Sequence, residues 1–238
     1  MEPLLQGRED TVGVTARDNR LFVEAVLYLY RAGIPWRDLP ECSGAWKVVH
    51  TRFSRWARNG LWKNLFKHLA IEADNEYAMM DRTIVRVHQH SAGARYKHGP
   101  QAIGRSRGGL STQIHASVDI LGNPVGFHLT PGQSRNLDGA DVLLPQTAAN
   151  TIIADKGDAA DQRVLEALAE AGKTALIPPK RPRVEPREDD RDLYLTRHLI
   201  ENFFQKLQQY RSIATLYDNT ARNFLATIYL TSTIIWLR

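Results

Sequence analysis

The sequence predicts an α/β fold in which a sheet is flanked by helices, and three observations predict it. Short runs rich in β-branched and apolar residues recur at 78–87, 111–118, 124–129, 152–153 and 174–177, each bounded by turn-prone residues. From residue 73 onward these runs alternate with helical periodicities, which favours an α/β sheet over an all-β fold. The residues before 73 carry helical periodicity alone, so residues 1–72 are expected to form a small helical domain ahead of an α/β domain at 73–238.

In the first region, Leu21, Phe22, Ala25, Val26 and Leu29 recur at helical spacing and are stopped by Gly33 and the PWRDLP turn. A second helix is expected after Ser43, a suitable N-cap, with Trp46, Val49, Phe53 and Trp56 on one face. Lys47, Arg52, Arg55 and Arg58 lie mostly off that face, and Gly60 can end the helix. Trp62, Leu65, Phe66 and Leu69 mark a third. Three short helices with a basic second member resemble a helix-turn-helix unit, in which Arg52 and Arg55 would meet DNA. The plainer reading is a wet helix face, with the tryptophans in a core.

Further along, 82–112 holds six cations and no acid, and with its five glycines reads as a flexible basic loop. Arg105 and Arg107 are its candidate phosphate contacts, because backbone contacts supply affinity without sequence information. The strands 111–118 and 124–129 are joined by DILGNP, whose Gly122 and Asn123 signal a turn. A helix is expected over about 160–171, a strand over 174–177 and a linker over 178–192. Leu199, Ile200, Phe203, Phe204 and Leu207 then define an amphipathic helix. The apolar run 224–237 has 14 residues, short of the ~20 that a membrane span needs, and reads as a core helix.

Three acids stand out against this frame. Asp155 closes the apolar run TIIAD, at the rim of the sheet where open α/β folds place their sites. Asp81 interrupts the strand 78–87 and shares a face with Met79, Thr83 and Val85, while Arg82 points the other way. Glu201 follows Tyr194 and Arg197 at i+7 and i+4, along a stripe bordering the apolar face of its helix. Two aspartates on strands and a glutamate on a late helix offer hard oxygens of the kind that Mg²⁺ prefers. Two such ions ~3.5–4 Å apart stabilise both the attacking and the leaving oxygen of a phosphoryl transfer. Against this stands the ordinary reading of three solvated surface acids.

The segments PWRDLP, MMDRTIVRVHQHSAG, LTPGQSRNLDGAD, IIADKG, ALIPPKR and YLTRHLIENFFQKLQQYRSIATLYDNTARNF resemble, in order, the DDE transposases of bacterial insertion sequences, in the insertion sequence five branch. The signature Tyr-x-x-Arg-x-x-x-Glu stands here as Tyr194, Arg197 and Glu201. The resemblance implies an RNase H-like mixed sheet flanked by helices, with Asp81, Asp155 and Glu201 as the catalytic, metal-binding acids. It implies two Mg²⁺ ions, or Mn²⁺, and strand cleavage and strand transfer on double-stranded DNA at element ends and target. A homodimer on DNA is implied too. Lys156, Tyr194 and Arg197 would contact DNA or position Glu201. The family's usual opening helix is missing before Pro3, so a late start is expected.

The chain departs from the family pattern at Asp158, where an aromatic residue is usual, at Arg82, where a small hydroxyl residue is usual, and at Gln208, where lysine is. Leu216 and Asn219 replace a common arginine and lysine. The changes at Asp158, Gln208, Leu216 and Asn219 motivate an alternative, a catalytically decayed, DNA-binding remnant, whereas Arg82 is tolerable on a regular strand. A third reading is a structure-blind nuclease of the same fold.

With 31 basic and 26 acidic residues the net charge is +5, which fits a polyanionic partner. The single cysteine, Cys42, excludes an internal disulfide and fits a reducing compartment. No leader opens the chain, so the bacterial cytoplasm is expected, with the nucleoid when bound to DNA. A zinc site at His88, His90 and His98 is not expected, for want of a cysteine cluster. No phosphate-binding glycine-rich loop with its lysine is present, so no nucleotide cofactor is expected.

Overall fold

The computed structural model describes residues 4–7, 18–92, 101–134, 137–153, 166, 168–176 and 196–238. Asp155, Lys156, Asp158 and Tyr194, the linker 178–192, and Arg95, Lys97 and His98 of the basic segment lie outside the described residues.

The sheet is built around one long strand, β1 (Tyr77–Val87). β3 (Gly109–Asp119) runs antiparallel along it and β4 (Pro124–Pro131) antiparallel to β3. On the other side β5 (Thr151–Ile153) pairs with the start of β1 in parallel, and β6 (Thr174–Leu176) pairs with β5. The short β2 (Gly104–Ser106) adds to β3, and β7 (Thr215–Leu216) to the end of β1. This mixed sheet is the expected α/β class.

Strand alternation sorts the sheet into two unlike faces. One face presents Met79 and Val85 of β1, Ile114, Ala116 and Val118 of β3, and Phe127 and Leu129 of β4, all buried in the main core. Helices α1 (Asn19–Ala32), α2 (Trp46–Arg58), α3 (Leu61–Ala70) and α6 (His198–Gln208) contribute to that core. So do α7 (Arg211–Ala214) and α8 (Ala221–Trp236), whereas the short α4 (Gln89–Ala92) follows the end of β1. The opposite face carries Ala78 and Ile152 in a smaller cluster with Leu144, Ala149 and Leu168, beside α5 (Leu137–Leu143). Its share of β3 is polar: Ser111, Gln113, His115, Ser117 and Asp119 are all buried.

The amino-terminal helices share one core with the sheet. Phe22, Tyr30, Phe53, Trp56 and Trp62 are buried in neighbouring ring contacts, and Phe66 stands 5.2 Å from both Phe127 of β4 and Tyr229 of α8. The tryptophans of the helices are thus largely core residues, Trp56 and Trp62 fully so.

Two local expectations are corrected. Ser43 does not cap α2: it ends a 3-10 turn, Glu41–Ser43, and α2 starts after Ala45 with no side-chain cap. Residues 104–112, expected as part of a flexible loop, form the β2–β3 hairpin, where Ser111 donates to Ser106 at 2.8 Å. By contrast DILGNP does turn the chain, because the Asp119 carboxylate accepts from the backbone of Leu121 (3.0 Å) and Asn123 (2.7 Å) while Gly122 takes φ of 83°. The apolar carboxy-terminal run lies in the core helix α8, and among the described residues no helix is long and apolar enough to cross a membrane.

Candidate active site

Asp81 sits mid-strand on the core-facing side of β1, between buried Met79 and Val85. An ionised carboxylate so placed needs compensation, and two groups provide it. The Arg82 backbone N–H donates to Oδ1 at 2.7 Å, and Nη2 of Arg197 reaches Oδ2 at 3.0 Å. Both side chains of this ion pair are 19% exposed, so it is neither a surface pair nor a sealed one.

Arg197 is the residue from which α6 springs, and Glu201 stands in the first turn, exposed. An acid there is favoured by the helix dipole, by about 0.3–1 kcal/mol. The apolar stripe of α6, Ile200, Phe203, Phe204 and Leu207, is buried in the main core, and this anchors the helix over β1. Further contacts fix the crossing: Thr196 Oγ1 lies 4.0 Å from Met79 Sδ, and Gln208 Nε2 donates to Thr83 Oγ1 at 3.1 Å. Thus α6 runs over the same strand face that carries Asp81.

The β1–β5 ladder pairs Tyr77 with Thr151, Ala78 with Ile152 and Met79 with Ile153. Asp81 and Asp155 each follow the last of these pairs by two residues in sequence. Among the described residues no group of three or more His, Cys, Asp or Glu is arranged to hold a metal ion. His88 and His90 instead pack ring against ring at 4.7 Å, with Tyr217 4.8 Å from His88.

The basic candidates separate. Arg52 is committed internally: its guanidinium lies 4.3 Å from the Phe22 ring centre and 4.5 Å from that of Trp56, and it donates to Asn19 Oδ1. Burial, with Arg55 nearby, pulls its pKa below the ordinary arginine value. Arg55 is exposed on α2, Arg105 on β2 and Arg107 in the β2–β3 turn.

Three features escaped the sequence reading. Behind Asp81, on the polar face, His115 is cross-strand from Arg82 and bonds Thr130 Oγ1 at 2.9 Å. Burial, helped by His128 and Arg82, pushes its imidazole pKa down to about 4. Asp218 is buried between α1 and α8, 3.4 Å from the Tyr30 hydroxyl and 3.5 Å from Thr227 Oγ1. The third is the burial of Leu216, on β7 in the main core. The polar alternation of β3 was a visible signal for the first; the other two depend on long-range packing.

Residues 1–66 match the family described as "Putative transposase of IS4/5 family", and residues 75–236 match the family described as "Transposase DDE domain". "Uncharacterized protein y4sN" of Sinorhizobium fredii is 49% identical over 82 residues, which cover 34% of this chain and 66% of that relative. The "Putative transposase for insertion sequence element IS6501" of Brucella ovis is 34% identical over 130 residues, 54% of this chain and the whole of that relative.

Proposed function

Because this chain belongs to the DDE transposase family, of IS4/5 type, we propose that it cuts DNA strands at the ends of an insertion sequence and joins them to a target. The mixed sheet is the RNase H-like fold of that family. The observation that carries the proposal is the Asp81 carboxylate, held mid-strand by Arg197 with Glu201 one helical turn beyond.

Asp81, Asp155 and Glu201 would be the catalytic acids. Their hard carboxylate oxygens fit Mg²⁺ or Mn²⁺ better than a softer metal. When bound, such ions would neutralise charge on the reacting phosphate and make an oxygen nucleophile available at neutral pH. Asp81 would present its oxygens from a strand stiffened by pairing on both sides. Glu201 would offer its carboxylate from a first helical turn. Arg197, with Lys156 and Tyr194, would hold the DNA backbone, and exposed Arg55, Arg105 and Arg107 would extend the contact without reading sequence. Arg52 would serve α2 by packing. The 1–72 helical unit and the 73–238 unit would act as one body through their shared core. A homodimer on paired element ends in the bacterial cytoplasm completes the reading.

The test incubates the purified chain with duplex carrying the element ends and Mg²⁺, and resolves nicked and joined strands. Cleavage is expected from the unmodified protein. Asp81→Asn, Asp155→Asn and Glu201→Gln should each lower it by about 100-fold or more, since each removes several kcal/mol of charge stabilisation. Unchanged cleavage in any of the three would remove that residue from the site.

The second reading, a decayed remnant that only binds DNA, draws on Gln208. That position bonds Thr83 rather than presenting a cation. Measurable DNA binding with no cleavage would select it.

A further inference from the structure

We propose that Arg197 is an exchangeable counter-ion: it neutralises Asp81 in the metal-free, DNA-free protein and gives it up to a cation as it moves to a DNA phosphate. The inference rests on the metal-site reading above and adds a regulatory step to it.

Both oxygens of Asp81 are engaged, but unequally. Oδ1 takes a main-chain N–H, from Arg82 at 2.7 Å, which is part of the strand and stays. Oδ2 takes a side chain, Nη2 of Arg197 at 3.0 Å, which can leave. With both side chains four-fifths covered, removing the arginine without replacement strands a largely desolvated carboxylate, a costly state. A divalent cation can replace it, and the two positive groups then repel one another across the same oxygen. Cation binding at Asp81 therefore competes with Arg197.

The competition has a natural resolution. The guanidinium fork matches phosphate as well as carboxylate, and phosphate is what the substrate brings. Arg197 stands at the start of α6, one turn from exposed Glu201, so a strand passing over the acids meets it there. Once a phosphate draws Arg197 off, Asp81 Oδ2 is open to the cation. DNA and metal then favour each other's binding, and by linkage the effect is reciprocal. The arrangement would keep the unloaded site from collecting metal ions before DNA arrives.

The test measures Mn²⁺ affinity of the intact chain without DNA, by electron paramagnetic resonance of the free ion. It compares the unmodified protein with Arg197→Gln, Arg197→Lys and Asp81→Asn, and circular dichroism confirms that each is folded. Arg197→Gln should bind Mn²⁺ about tenfold more tightly, within the usual range of coupling between sites. Arg197→Lys, which keeps the charge, should stay within about twofold, and Asp81→Asn should lose the site. In parallel, fluorescence anisotropy should find DNA bound more tightly with Mn²⁺ than in chelator, and Arg197→Gln should narrow that difference, leaving the part due to direct attraction between the ion and phosphate. If Asp81→Asn loses Mn²⁺ while Arg197→Gln binds it no better than the unmodified protein, the counter-ion role is overturned and the metal site stands. If Asp81→Asn and the unmodified protein titrate alike, both fall together.

Discussion

Positions 216 and 208, where the resemblance to the transposases leads one to expect cations, sit in unlike surroundings. Leu216 is fully buried in the main core, and its carbonyl accepts from Ser91 Oγ at 2.9 Å and His88 N at 3.0 Å. Gln208 is exposed on α6. Placing a positive charge at each should therefore have unlike effects. Leu216→Arg should destabilise the chain by about 3–5 kcal/mol in urea unfolding, the range for an uncompensated buried charge. Gln208→Lys should leave stability within about 1 kcal/mol, since it gives up one exposed hydrogen bond to Thr83. It should also steepen the salt dependence of DNA affinity by about 0.9 per added phosphate contact. An unchanged salt slope for Gln208→Lys would place that face of α6 away from DNA.

At the scale of elements, periodicity made α1, α2, α3 and α6 legible, because one-sided burial imposes a period of 3.6 on the sequence, whereas α8 and the long strand β3, buried on both sides, showed as apolar or β-branched runs. What it left obscure is decided by contacts between distant segments. Ser43 has the chemistry of an N-cap, but the 3-10 turn there starts α2 two residues later. The hairpin 104–112 was hidden by its glycines, which signal flexibility in a sequence although here they serve a tight turn, Gly109 at φ of 102°. Most of all, LTPGQSRNLDGAD gave no helical signal, yet its second half forms α5 over the polar sheet face. The close approach is made at Gly139, where an added Cβ would fall 2.1 Å from the His115 ring. That ring is buried and bonded to Thr130, so it has little room to retreat. Gly139→Ala should lower stability by about 1–3 kcal/mol through overpacking. A change under 0.5 kcal/mol in chemical denaturation would mean that α5 is not seated on His115.

For the whole molecule, the candidate acids stood out in the sequence, whereas a buried acid between α1 and α8 did not. Asp81 interrupts an apolar strand and Glu201 borders the apolar face of its helix, whereas Asp218 is an acid in an ordinary polar stretch whose burial follows from α1 and α8 closing over it. Between Tyr30 and Thr227, burial raises its carboxyl pKa from 3.8 to about 7. An acid whose folded value is raised binds more protons folded than unfolded, so its effect on stability is least harmful below pH 3.8. Stability is then lost as pH rises from there to about 7, after which the penalty is constant. His115 acts in the other sense. Its folded value of about 4 lies below the ordinary 6.5, so stability is gained as pH rises between those values. Between pH 4 and 6.5 the contributions of these two groups largely offset one another. Asp218→Asn removes one side of the balance while keeping a partner for the Tyr30 hydroxyl. The variant should gain stability relative to the unmodified chain by a few kcal/mol as pH goes from 4 to 8. Its unfolding midpoint, measured at pH 5 and pH 8, should rise more between the two than that of the unmodified protein. Equal shifts in both proteins would mean that Asp218 is ionised in the fold, and that the junction of α1 and α8 is open to water.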